Sequence, residues 1–136
     1  EVSRGAAFGD VDNDGDIDVV VSNNNGPARL LLNEVSPATR SLSIRLEGVE
    51  SNRDGIGARV ALLRAGRDPM WRRVHRDGSY LSASDARVYF GLGDEGDEAV
   101  AGVGIVWPNG RLERWERVDL DIDTRLREGS GQPWEP

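Results

Sequence analysis

Five carboxylates fall within nine residues in Asp10-Val11-Asp12-Asn13-Asp14-Gly15-Asp16-Ile17-Asp18. In a compact turn at neutral pH, each close pair would repel by about 1–4 kcal/mol depending on the local dielectric. A hard divalent cation reverses the sign of that interaction. Calcium takes roughly six to eight oxygens from flexible carboxylates, backbone carbonyls and water, and a chain wraps it with donors at loop positions one, three and five and Gly at six. Asp10, Asp12, Asp14 and Gly15 stand at those positions. Asp18, at position nine, can close the shell, with the carbonyl of Asp16 at position seven. The expected ligand set is therefore Asp10, Asp12, Asp14, Asp16 and Asp18, and the expected cofactor is Ca2+. An EF-hand is excluded, because its position twelve needs a bidentate Glu and a following helix. Here that position is Val21, within a β-branched run. Magnesium keeps more of its waters and fits so many protein carboxylates poorly.

Other groupings carry less. Asp119, Asp121, Asp123 and Glu128 repeat the acidic theme, but Thr124 replaces the Gly and Arg127 falls where a ligand is needed. Alternation with Val118, Leu120 and Ile122 suggests the solvated face of a strand. Asp94-Glu95-Gly96-Asp97-Glu98 is a charged loop. His75, Asp77 and Ser79 have the types of a catalytic triad, yet alternate strand residues lie about 7 Å apart, too far for a relay. His75 is the sole histidine, and no catalytic residue is expected. Gly55-Ile56-Gly57 and Gly91-Leu92-Gly93 precede no helix, and there is no Lys to meet a phosphate. Trp107 ends an apolar run and suits a core. Trp71 and Trp115 sit among Arg residues, where they can stack on guanidinium groups or offer a platform to a sugar or protein.

The elements that hold these residues are short strands. Gly5–Phe8, Ile17–Val21 and Arg29–Leu32 flank the Asp-rich loop and the turn Asn23-Asn24-Asn25-Gly26-Pro27, forming a meander too small to stand alone. Ser41–Glu47 alternates apolar and polar residues throughout, the mark of a half-buried strand. Ala58–Leu63, Trp71–His75, Arg87–Phe90 and Val100–Trp107 follow, punctuated at Asp54-Gly55, Asp68-Pro69, Asp77-Gly78, Gly91–Gly93 and Pro108-Asn109-Gly110. Leu112, Trp115 and Val118 also fit a helical face over 111–119, but the alternation of Val118, Leu120 and Ile122 with Asp119, Asp121 and Asp123 favours a strand pair there. The fold class is all-β, a partial propeller blade followed by a sandwich.

Charge divides the chain. Residues 1–34 carry seven acids and two Arg, residues 35–136 seventeen acids and fifteen Arg, for a net charge of −7 over 136 residues. The expected organisation is a calcium-binding repeat over 1–34, a linker over 35–40, a β domain over 41–129 and a tail over 130–136. An acidic chain lacks the basic stripe of a nucleic-acid binder, and no apolar run approaches the roughly 18–20 residues that span a bilayer. With no Cys there is neither a disulfide nor a thiolate metal site. Glu1 in place of Met suggests a processed chain or a piece of a longer one.

Residues 4–34 resemble an FG-GAP (VCBS-type) repeat, the blade of integrin-α-like propellers. Phe8-Gly9 matches its "FG", and Gly26-Pro27 stands where "GAP" falls. The resemblance implies Asp10, Asp12, Asp14 and Asp18 as side-chain calcium ligands. Residues 41–129 resemble the ASPIC/UnbV domain, which follows such repeats in cartilage acidic protein 1-like and enediyne-cluster proteins. The matching pieces are Asn52–Val60, Gly78–Ser82, Tyr89–Gly93, Val106–Gly110 and Glu128-Gly129, in the family's order. Tyr89 stands where the family has His, and Ala83 where it has Gln.

These readings lead to a non-catalytic, calcium-stabilised adhesion or protein-recognition module. Upstream propeller repeats and a protein or glycan ligand are its expected partners, and its setting is extracellular, cell-surface or periplasmic. A carbohydrate-binding sandwich is the alternative, which requires Trp residues gathered on one exposed face. An accessory protein of enediyne-type biosynthesis is the third.

Overall fold

A computed structural model describes residues 2–34, 40–94 and 99–136. Among them there is no α-helix, and the chain is all-β. Two compact units emerge, one formed by residues 1–37 with 75–85 and the other by 38–74 with 86–136.

The first unit is built on an antiparallel meander of β1 (Val2–Gly9), β2 (Asp18–Asn24) and β3 (Arg29–Leu31). The consecutive β-branched residues Val19, Val20 and Val21 favour the extended backbone of β2. Their register places Ala7, Val20 and Leu30 in one cross-strand row and Phe8, Val19 and Leu31 in the next. Adjacent rows face opposite ways, so both faces of this small sheet are apolar. Phe8 is 45% exposed and Leu30 51%. The edge of β1 is covered by the segment 75–85. There the Asp85 amide donates to the Phe8 carbonyl (2.8 Å), and the Ala6 and Phe8 amides donate to Ser79 Oγ and Ser84 Oγ. Gly5 permits this approach, since a Cβ would strike Ser82 Oγ and the Tyr80 carbonyl.

The second unit is a sandwich. One sheet has the order β10 (Asp123–Arg127), β4 (Arg40–Glu47), β7 (Val88–Gly93), with β10 parallel to β4. The other runs β11 (Gln132–Pro133), β9 (Leu112–Trp115), β8 (Val100–Val106), β5 (Arg59–Arg64), β6 (Arg67–Arg73). Strand alternation turns Leu42, Ile44 and Leu46 inward from β4 to meet Val60 and Leu62 of β5 and Val103 and Ile105 of β8. Trp107 is buried with them, its Nε1 donating to Glu113 Oε2 (2.7 Å).

Several expectations change. Asp68-Pro69 is not a turn but part of β6, and the chain reverses at Ala65-Gly66 instead. Proline is tolerated because β6 is an edge strand, where one side of the backbone needs no ladder partner. The alternating stretch 118–122 is not a strand. Asp121 has φ +60° there, and β10 begins only at Asp123. Asp121 accepts from the Ser41 amide and pairs with Arg40, and Asp123 accepts from Ser43 Oγ. These acids tie the 118–123 segment to β4 and are not a free solvated face. Residues 130–136 are not simply a tail, since they contain β11. Of the linker expected over 35–40, residues 35–39 lie outside the described residues and Arg40 opens β4. The charged loop 94–98 lies outside them beyond Asp94.

Candidate metal centre

The Asp-rich loop connects β1 to β2 across their hydrogen-bonded ends, where Gly9 faces Asp18. Two residues turn it, Asn13 at φ +60° and Gly15 at φ +96°. Asn tolerates the left-handed region better than other non-glycine residues, and Gly enters it without steric cost. Backbone amides hold the carboxylates. The Asp14 and Gly15 amides donate to Asp10 Oδ1 and Oδ2 (3.1 and 3.2 Å), and the Asp16 amide donates to Asp14 Oδ1 (2.9 Å). Asp18 takes the Val11 amide on Oδ2 (2.8 Å) and the Asn33 amide on Oδ1 (2.9 Å). Asp18 thus fixes the loop to its own strand and to the chain leaving β3.

Among the described residues, Asp10, Asp12 and Asp18 bring one carboxylate oxygen each to within 4.8 Å of one another. Asp10 and Asp18 are buried, and Asp12 is exposed. Asp14 and Asp16 stand outside this trio, their carboxylate and amide bonded to each other.

Desolvation and neighbouring charge act together on two of the loop's carboxylates, and backbone amides act on a third. Asp12 is pushed above the usual carboxylate range by desolvation and then by the charges of Asp14 and Asp18. Asp16 is raised by desolvation and by Asp14, Asp10 and Asp18. Asp18 is lowered, because the Asn33 and Val11 amides stabilise its anion. Backbone amides therefore offset part of the negative charge and leave a remainder at Asp12 and Asp16. Asp10 and Asp18 are thus prepositioned by amides, and with Asp12 they present three convergent oxygen donors of the type a hard cation takes. A pocket of about 230 Å3 opens beside it, lined by Phe8, Val11 and Val20 and by Asp10, Asp18 and Asp85 among others.

The remaining candidates resolve differently. His75 and Asp77 do touch, with Nδ1 3.3 Å from Asp77 Oδ1 and 2.8 Å from its carbonyl. The strand spacing expected to separate them does not apply, because β6 ends at Arg73. Ser79 Oγ, however, accepts from the Ala6 amide, which gives it a role on β1. Glu128 is no member of an acidic metal loop. Its buried carboxylate accepts the amides of Val49, Glu50 and Ser51 on Oε2, and Ser51 Oγ and Asn109 Nδ2 on Oε1. Burial alone would raise its pKa, but the amides of Ser51, Val49 and Glu50 together with the Ser51 hydroxyl outweigh it and hold it at about 2. Local spacing gave no sign of this role, since its amide donors lie 77 to 79 positions upstream and Asn109 lies 19 upstream.

The family model for ASPIC and UnbV matches residues 48–133. The chain belongs to the ASPIC/UnbV family. The Asp-rich loop precedes the matched residues, and no curated protein matches the chain.

Proposed function

We propose that this chain is a non-catalytic recognition module whose N-terminal unit is stabilised by calcium. Asp10, Asp12 and Asp18 would hold the ion, with Asp14 and the Asp16 carbonyl available to complete the shell. The observation that carries this reading is the convergence of the Asp10, Asp12 and Asp18 oxygens in the β1–β2 loop. Bound calcium would neutralise the loop and lock the hairpin that sets the geometry of β1 and β2.

On the same reading, residues 4–34 are an FG-GAP/VCBS-type repeat, the last of a propeller of the kind that precedes ASPIC/UnbV domains in cartilage acidic protein 1-like proteins. The apolar residues on both faces of the β1–β2–β3 sheet support it, because a sheet buried on both sides reads as a continuous apolar run. Upstream repeats are then the natural cover for those faces. A site of about 10 μM affinity would be filled by extracellular calcium near 1 mM and would gain about 3 kcal/mol. That favours a secreted, cell-surface or periplasmic setting.

Calorimetric titration of calcium into EDTA-stripped protein tests the reading. One saturable site is expected, lost in Asp12→Ala and weakened in Asp14→Ala. Absence of uptake, or parental binding by both variants, would refute it.

A further inference from the structure

The hairpin formed by β5 and β6 is the basic exception in an acidic chain. Residues 59–73 hold Arg59, Arg64, Arg67, Arg72 and Arg73 against Asp68 alone, a net of +4 in a chain of −7. Register sorts these residues by face. Val60, Leu62 and Met70 turn toward the core, and Arg72 turns with them to lie over the Phe90 ring (5.6 Å). Arg59, Ala61, Trp71 and Arg73 occupy the opposite, outer face, with Arg59 paired to Arg73 and Ala61 to Trp71.

The same row continues from Ala61 to Gly104 of β8 and on to Arg114 of β9. Ala61 and Gly104 have almost no side chain, and Trp134 lies in the trough they leave. A Cβ on Gly104 would come within 2.5 Å of its ring. Trp134 and Trp71 stand 6.0 Å apart with a 32° tilt, and Trp71 remains 38% exposed. The Arg59 guanidinium sits 5.2 Å from the Trp71 centroid. Stacking of this kind orients a guanidinium while leaving its in-plane N–H groups available to a carboxylate. At the far end of the row, Arg114 Nε is shielded from solvent with no acceptor among the described residues.

We propose that this outer face binds an acidic carbohydrate, a chain of sugars bearing uronate carboxylates. The indole pair supplies apolar area for the C–H faces of the pyranose rings. Arg59 and Arg73 supply charge-assisted donors for the carboxylates. A nucleic acid would suit the stacking as well, but its charge on every nucleotide meets a −7 chain with a single basic face. A sugar chain in which uronate alternates with a neutral sugar carries one charge per disaccharide and meets less repulsion. This site is separate from the Asp-rich loop and does not rest on the calcium reading.

The test is titration of the full chain, in EDTA and again in calcium, with an oligomer of about six sugars in which uronate alternates with a neutral N-acetyl sugar, followed by calorimetry and tryptophan fluorescence. The methyl-esterified oligomer removes only the charge, while oligo-dT and poly-glutamate probe the other anion classes. The acidic oligomer is expected to bind and change the fluorescence equally in both buffers. The esterified form and Arg59→Met should each bind at least tenfold more weakly, and Trp71→Ala should abolish binding. Arg59 is exposed, so Arg59→Met keeps the result decisive should Trp71→Ala unfold the sheet. The proposal is overturned by no binding at millimolar oligomer, by equal binding of the esterified form, by parental affinity in Arg59→Met, or by tighter binding of oligo-dT or poly-glutamate.

Discussion

Two acidic sites in this chain meet the same problem in different ways. In the second unit, one buried carboxylate, Glu128, faces three amides, a hydroxyl and a side-chain amide. Donors and charge balance there, and the site closes the 48–54 loop without help. In the first unit, five carboxylates share one loop, and amides settle Asp18 while Asp12 and Asp16 remain raised. A carboxylate saturated by its own backbone is a structural tie. On the proposed reading, a loop holding more negative charge than its amides offset is where a cation would sit.

The units differ in burial as well. Leu42, Ile44, Val60, Phe90 and Ile105 are fully buried in the sandwich, whereas the small sheet keeps Phe8, Leu30 and Leu31 about half exposed. The largest expected effect therefore lies in the second unit. Phe90→Ala should cost about 3–5 kcal/mol in chemical denaturation, while Leu31→Ser should stay within about 0.5 kcal/mol. Equal costs would erase the contrast.

Glu128→Gln comes next, at about 2–4 kcal/mol, because it strands several amides on a weaker acceptor. Its pH dependence sharpens the point. The folded pKa of about 2 lies below the ordinary 4.5, so the stabilisation is complete above about pH 4.5 and fades as pH falls toward 2. Acid unfolding of the second unit should flatten over that window in the variant, and a parental acid profile would contradict the assignment.

Gly5→Ala should cost about 1–3 kcal/mol by driving a methyl into Ser82 and the Tyr80 carbonyl. Hydrogen exchange should report the loss at the Asp85 amide and along β1, and unchanged protection there would break the account of how the β1 edge is covered. The smallest effect concerns His75. His75→Gln should leave stability within about 0.5 kcal/mol, and a large loss would show a role that its contact with Asp77 does not explain.

The loop between β1 and β2 was legible from its run of Asp, Asn and Gly residues, but spacing alone did not separate the three carboxylates that converge from Asp14 and Asp16. Strand β4 was legible because Leu42, Ile44 and Leu46 alternate without fault. Alternation misled at 118–123, where the same pattern sits on a bend and the acids answer β4 across the sheet. Pro69 misled because a breaker in a central strand is harmless at an edge. The docking of 75–85 on β1, the amide of Asn33 on Asp18 and the seat of Trp134 over Gly104 all join residues remote in sequence, and no local spacing marks such contacts.

The central claim is most directly tested by a crystal structure grown in millimolar calcium, with the ion identified by its anomalous signal. The account predicts a peak about 2.3–2.6 Å from carboxylate oxygens of Asp10, Asp12 and Asp18. A well-ordered loop with those oxygens turned to solvent and no peak between them would contradict it.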